Sequence, residues 1–193
     1  DGNSNVAILT YTVPSTASIN VDGIVPTVST VTAPPGSTYI IGDNLDFSFS
    51  YSETVTVTGT PQVEVTLDSG TIYADYLSGS GSTTLIFRYI FIADDVDADG
   101  PDMVSPIDLN GGTMVDVANN NATLTYTPPD TSAIIVDGDA PIITSVTQPA
   151  NSTYILGDNV DFIANFDENV DVVGAPRIAI TLGSGIVYAD YFS

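Results

Sequence analysis

The sequence predicts an all-β protein of antiparallel sandwich units in tandem, and three observations carry that expectation. Polar and apolar residues alternate, as in Asp46-Phe47-Ser48-Phe49-Ser50-Tyr51 and Gln62-Val63-Glu64-Val65-Thr66-Leu67. Successive side chains of an extended strand point to opposite faces, so alternation sends one set into a core and the other into water. Turn residues punctuate the runs at Pro34-Pro35-Gly36, Gly42-Asp43-Asn44, Gly59-Thr60-Pro61, Asp68-Ser69-Gly70, Gly79-Ser80-Gly81 and Asn110-Gly111-Gly112. The chain also repeats itself. Tyr39-Ile40-Ile41-Gly42-Asp43-Asn44 returns as Tyr154-Ile155-Leu156-Gly157-Asp158-Asn159, and Tyr73-Ala74-Asp75-Tyr76 as Tyr188-Ala189-Asp190-Tyr191, an offset of 115 residues without a gap.

Between residues 24–78 and 139–193, 27 of 55 positions are identical. The match runs backwards too: Thr10-Tyr11-Thr12 answers Thr125-Tyr126-Thr127, and Val21-Asp22-Gly23 answers Val136-Asp137-Gly138. A repeat of this size is a whole domain rather than a solenoid unit. The expected organisation is a C-terminal strand of a preceding repeat (1–23), a complete repeat (24–138) and the N-terminal half of a following repeat (139–193), as in a window cut from a longer array. A unit of this length can bury an adequate core. The 43% hydrophobic content supports one, since a disordered chain is poorer in Val, Ile, Tyr and Phe.

Within the complete repeat, strands are expected near 27–33, 45–51, 61–67, 71–77, 83–92, 112–117 and 122–136, the last broken at Pro128-Pro129. Each is bounded by the turn signals above, and Thr, Val, Ile and Tyr suit a pleated, half-buried surface. No stretch sustains apolar residues at i, i+3, i+4 and i+7, so helix is expected to be nearly absent. Seven short strands with turns at this spacing argue for an immunoglobulin-like antiparallel β-sandwich. The chain has no Cys and no Trp, so the likeness to antibody domains is architectural only.

Twenty-four acidic residues face only Arg88 and Arg177, for a formal net charge of −22. Binding nucleic acid needs a basic surface to displace counterions, so that function class is excluded. An anionic membrane surface would repel the chain, and no apolar run is long enough for a transmembrane span. Self-repulsion on this scale opposes a compact state unless cations neutralise it. The alternative is that the acids are scattered, solvated and serve solubility. Without cysteine there are neither disulfides nor thiolate metal sites.

An ordered succession of blocks resembles a known family. Asp22 to Pro26, Tyr39 to Asp43 and Ser52 to Pro61 are followed by Ser78-Gly79-Ser80-Gly81 and Leu85-Ile86-Phe87-Arg88-Tyr89. Leu109-Asn110-Gly111-Gly112 and Asn119-Asn120-Asn121-Ala122 complete the series. Together they look like the bacterial immunoglobulin-like tandem repeats of giant extracellular adhesins. The resemblance covers essentially the whole chain and implies a module at the cell surface, in a long array that projects an adhesive tip or builds a surface layer. The acidic insert at 94–104 departs from the family in its wealth of Asp.

That insert, Asp94-Asp95-Val96-Asp97-Ala98-Asp99-Gly100-Pro101-Asp102, is the sharpest local signal. Asp95, Asp97 and Asp99 before Gly100 match the opening of a calcium loop, where alternate carboxylates converge on a hard cation and glycine permits the turn. The twelfth position from Asp95 is Pro106 rather than a bidentate Glu, so a helical EF-hand is not expected. A solvated acidic loop is the alternative. In an immunoglobulin topology the insert lies beside the exit of the last strand, next to Asp137 and Asp139, with Asp167 and Glu168 facing them from the following repeat. The expected metal set is therefore Asp94, Asp95, Asp97, Asp99, Asp102, Asp137, Asp139, Asp167 and Glu168, with calcium as the ion. The same logic places Glu53 near Asp22 at the preceding junction. The alternative for these acids is turn capping, to which Asp is suited, and Asp43, Asp46, Asp158 and Asp161 are expected to be structural.

Catalysis finds little support, because there is no His, Cys or Lys for the usual triads and Schiff bases. The expected function is a structural spacer or stalk, extracellular and at the cell surface, whose partners are neighbouring repeats of the same or identical chains. A cell-surface receptor or glycan is a further partner class for the parent protein, through an adhesive tip or an exposed tyrosine pair among Tyr73, Tyr76, Tyr188 and Tyr191. A different expectation follows from the incomplete ends: a self-assembling filament or surface-layer subunit, in which the first strand of one copy completes the last half domain of the next.

Overall fold

The computed structural model describes residues 10–192, so residues 1–9 of the expected first strand lie outside the described residues. Alternating sequence yields strands throughout, and among the described residues there is no helix. In chain order they are β1 (Val28–Thr32), β2 (Thr38–Ile40), β3 (Asn44–Thr58), β4 (Gln62–Leu67), β5 (Gly70–Ser78), β6 (Ser82–Ile90), β7 (Val96–Asp97), β8 (Asp102–Asp108), β9 (Thr113–Val115) and β10 (Ile135–Asp137). Then come β11 (Ile143–Thr147), β12 (Ile163–Phe166), β13 (Arg177–Leu182) and β14 (Gly185–Asp190).

The main sheet runs β1-β3-β6-β5-β4-β8, with β9 also on β3, and every pairing in it is antiparallel. Its register puts Phe47 opposite Phe87 and Phe49 opposite Leu85. All four are fully buried, and the Phe49 and Phe87 rings meet edge to face with centroids 5.1 Å apart. Tyr126 meets Phe49 from the last segment of the repeat at 5.0 Å. That segment also ties the two edges of the sheet together. Ile107 on β8 donates its amide to Leu124, and Thr123 donates to Pro26 just before β1. The sheet is thus curled around the aromatic core. A smaller sheet, β2-β10-β7, joins β10 parallel to β2 and antiparallel to β7. The buried side chains of the core cluster fall between Leu45 and Val136, with Pro26 buried just before β1.

Three expectations change. The second strand does not stop at residue 51: β3 continues to Thr58, exchanging β6 for β9 as its partner. Alternating Val55-Thr56-Val57-Thr58 carries it on, with Val55 fully buried, and the register shift between Ser50 and Val55 leaves Ser52-Glu53-Thr54 in a bulge. Residues 102–108 form β8 although Pro106 sits within them, which is tolerated because β8 is the edge of the main sheet. The expected strand at 122–136 keeps ladder pairing only at Ile135–Asp137, beyond Pro128-Pro129.

Residues 139–192 form two separate pairs, β11 with β12 and β13 with β14. In the complete repeat, β6 lies between the corresponding β3 and β5. No strand stands between the two later pairs among the described residues, and Phe166, Ile178 and Leu182 are exposed.

Replacing Phe87 by Ala should remove about 3–5 kcal/mol of stability, read from urea unfolding followed by tyrosine fluorescence. Ile92→Ser, at an exposed position, should change it by no more than about 0.5 kcal/mol.

Candidate metal centre

At the entry end of the complete repeat, Asp22, Glu53 and Asp116 each place a carboxylate oxygen within 4.8 Å of the others. They come from three separate segments. Asp22 belongs to the linker, where its Oδ1 accepts the amide of Ile24 at 3.1 Å. Glu53 projects from the β3 bulge, which is tied to the start of β1 by Ser52 N–H to Thr27 O (2.9 Å) and Thr27 N–H to Ser52 Oγ (3.0 Å). Asp116 follows β9 and heads a tight turn through Asn119, whose φ of 65° lies in the left-handed region that Asn tolerates.

Asp116 is buried and well satisfied. Its Oδ1 accepts the amides of Ala118 (2.7 Å) and Asn120 (2.8 Å), and its Oδ2 accepts Asn120 Nδ2 at 2.8 Å. Burial alone would raise its carboxyl, but these bonds from Asn120 and Ala118 take it below the usual carboxylate range. Glu53 is the opposite case. Desolvation, then Asp22, then Asp116 push its carboxyl up, and its Oε1 is buried without a hydrogen-bond partner. A buried, orphaned carboxylate oxygen costs free energy unless something meets it. Three carboxylates offer only hard oxygen donors, the chemistry of calcium or magnesium rather than of zinc or copper.

The exit end repeats part of this arrangement. Asp137 and Glu168 stand 115 residues beyond Asp22 and Glu53. Glu168 is raised by desolvation and then by Asp137, Asp167 and Asp139, although among the described residues these four do not gather carboxylate oxygens within 4.8 Å of one another as the entry-end three do. Asp167 is held in place by a reciprocal pair: its Oδ1 accepts Ile142 N–H at 2.9 Å, and its own amide donates to Ile142 O at 3.2 Å. The acidic insert lies beside this linker. Val136 and Asp137 pair with Asp97 and Val96, Gly138 N–H donates to Asp95 O (2.8 Å), and Asp94 N–H donates to Gly138 O (3.1 Å). A Cβ on Gly138 would come within 2.5 Å of the Asp95 carbonyl oxygen, so the linker is seated without slack.

Inside the insert the three alternate carboxylates do not converge. Asp95 is buried and its Oδ2 accepts Tyr89 O–H (2.9 Å) and Ile92 N–H (2.8 Å). Asp97 is also buried and accepts the amides of Asp68, Asp99 and Gly100. Turns at Ile92–Asp95 and Asp97–Gly100 break the extended geometry that alternation requires. Asp68 takes the place expected of Asp95: Asp68, Asp97 and Asp99 bring carboxylate oxygens within 4.8 Å of one another. Asp94 is exposed, and Asp102 opens β8 opposite Thr66, apart from either group. Two acidic clusters among the described residues could therefore hold a metal ion.

Asp116 and Asp68 were not among the expected ligands. Asp116 carried a signal, since Asp followed by Asn119-Asn120-Asn121 favours a side-chain-capped turn, but its approach to Asp22 depends on β9 pairing with the far end of β3. Asp43 and Asp158 serve turns, accepting Ile40 N–H (3.0 Å) and Ile155 N–H (2.8 Å). Arg88 forms a two-point pair with Asp46, both contacts 2.6 Å. Tyr76 packs against Phe87 while Tyr73 is exposed.

No family model matches the chain, and neither a curated protein nor a solved structure matches it, which leaves the geometry of its residues as the ground for function.

Because the folded state raises the Glu53 carboxyl, its contribution to stability is present at low pH and is lost as pH rises through the folded value. In chelator, Glu53→Gln should therefore melt above the wild type at pH 7, with the gap closing towards pH 4. A gap that stays constant across that range contradicts the assignment.

Proposed function

We propose that the chain is part of an extracellular array of immunoglobulin-like β-sandwich repeats, a spacer or stalk in a bacterial repeat adhesin or surface protein, with joints stiffened by calcium. The observation that carries this reading is the meeting of Asp22, placed by the repeat in the last strand of a preceding unit, with Glu53 and Asp116 of the next. A cation at that point neutralises opposed carboxylates, meets the orphaned Glu53 oxygen and removes hinge freedom. Calcium suits the site better than magnesium because it accepts irregular cages of carboxylates and carbonyls, whereas magnesium demands near-octahedral geometry and keeps its waters. Asp137, Asp139, Asp167 and Glu168 would serve the next joint in the same way, and Asp68, Asp97 and Asp99 a site near it. The role is mechanical and not enzymatic. The partners are neighbouring repeats, and a receptor or glycan would be met elsewhere in the parent protein.

One observation favours strand donation between copies as a second reading. Tyr11, Ile19 and Val21 are 78%, 65% and 91% exposed, whereas their repeat counterparts Ile134 and Val136 are buried and Tyr126 packs on Phe49. A segment of this character can complete a neighbouring sandwich. Light scattering separates the readings: concentration-dependent polymers in chelator support donation, and a monomer at all concentrations opposes it.

The calcium joint is tested by melting the full chain with calcium and with chelator at fixed ionic strength. A hundredfold excess over the dissociation constant should stabilise by about 2.7 kcal/mol, a rise on the order of 10 °C for a domain of this size. Glu53→Gln should abolish most of the rise and Asp75→Asn, at an exposed position of β5, should leave it intact. An unchanged melting temperature would mean that the carboxylates are solvated surface.

A further inference from the structure

The Asn120 side chain holds more than its own turn. Its Nδ2 lies 2.8 Å from Asp116 Oδ2, 3.1 Å from Ile24 O and 3.3 Å from Asp22 O. The amide has two hydrogens for these three acceptors. One goes to the carboxylate and the other is shared between the two linker carbonyls. The residue is itself anchored, since its backbone N–H donates to Asp116 Oδ1 (2.8 Å) and its carbonyl accepts Asp116 N–H (3.1 Å). Asp116 in turn is fixed by β9, which pairs with the end of β3 through Thr56↔Val115 and Thr58↔Thr113. A continuous set of backbone and side-chain bonds therefore runs from the main sheet to the incoming linker.

We infer that Asn120 is a latch that seats the linker of the preceding repeat on this one without any cation, so that the joint is docked first and stiffened second. The inference rests on the reading of Asp22 as the end of a preceding repeat, and it deepens that reading by separating the two parts of the joint. The amide latch engages backbone carbonyls, which carry no net charge, so neither chelator nor moderate salt should release it. The carboxylates alone respond to the cation. Asn120 is a positioning residue: by holding the carbonyl of Asp22 it brings the Asp22 carboxylate beside those of Glu53 and Asp116. Asp in place of Asn120 keeps the shape but loses the donor and adds a like charge, so it should release the linker as Ala does.

The test is backbone 15N relaxation on the full chain in chelator, for wild type, Asn120→Ala and Asn120→Asp. In the wild type, Gly23 and Ile24 should show order parameters near the rigid value of about 0.85, and in both variants these should fall below about 0.6. Phe47, Phe49, Leu85 and Phe87 should stay rigid in all three. Wild-type linker amides that are already flexible in chelator and become rigid only with calcium overturn the latch and leave the metal joint standing. Amides that are rigid in chelator, freed by both variants and indifferent to calcium support the latch and remove the metal joint. A loss of order in β3 and β6 equal to that in the linker, in both variants, overturns the assignment by making Asn120 a folding residue.

Discussion

At the end of the sandwich where Asp22, Glu53 and Asp116 meet, this chain brings carboxylates together without a basic side chain to answer them. Its two arginines are spent elsewhere: Arg88 on Asp46 on the sheet surface, and Arg177 over the ring of Tyr188 at 4.2 Å. Repulsion between unit charges a few ångströms apart is substantial once water is partly excluded, and the carboxyls of Glu53 and Glu168, 115 residues apart, are raised by desolvation first and by their acidic neighbours second. The rest of the structure is arranged around that constraint. Backbone amides and one side-chain amide absorb as much of the charge as they can, and a hard cation is the natural complement to the remainder.

The core fixes the parts that bring these carboxylates together. Phe47, Phe49, Phe87 and Leu85 set the register of β3 on β6, and that register decides where β3 must bulge to keep Val55 inside. The bulge throws Glu53 out at the entry end. The same strand then receives β9 and so delivers Asp116 to the same place. At the other end, parallel pairing of β10 with β2 and its pairing with β7 bring the exit linker against the insert. Apolar packing therefore determines where the charges meet, and the acidic cluster inherits its geometry from the sheet.

Much of this was legible in the sequence. Alternation at Asp46–Tyr51 and Gln62–Leu67 names the core faces, and the internal repeat couples Asp22 with Asp137 and Glu53 with Glu168. Loop placement put the insert beside the exit linker. What could not be read was the partnering of residues brought together by long-range pairing. Asp116 reaches Asp22 across 94 residues of chain, through an extension of β3 beyond the strand expected near 45–51. Asp95, Asp97 and Asp99 looked like a ligand set because their spacing was right, yet Tyr89 and two local turns claim Asp95 for structure. β8 was hidden by Pro106 and by the acidic residues before it. Local pattern carried the elements, and nonlocal pairing decided which acids face each other.

The most direct measurement is a crystal structure of the chain grown in calcium, with the anomalous signal used to locate ions. The account predicts an anomalous peak between Asp22, Glu53 and Asp116, with carboxylate oxygens at about 2.3–2.6 Å and Glu53 Oε1 among the ligands. Saturating calcium without a peak there, with the three carboxylates turned apart into solvent, would contradict it.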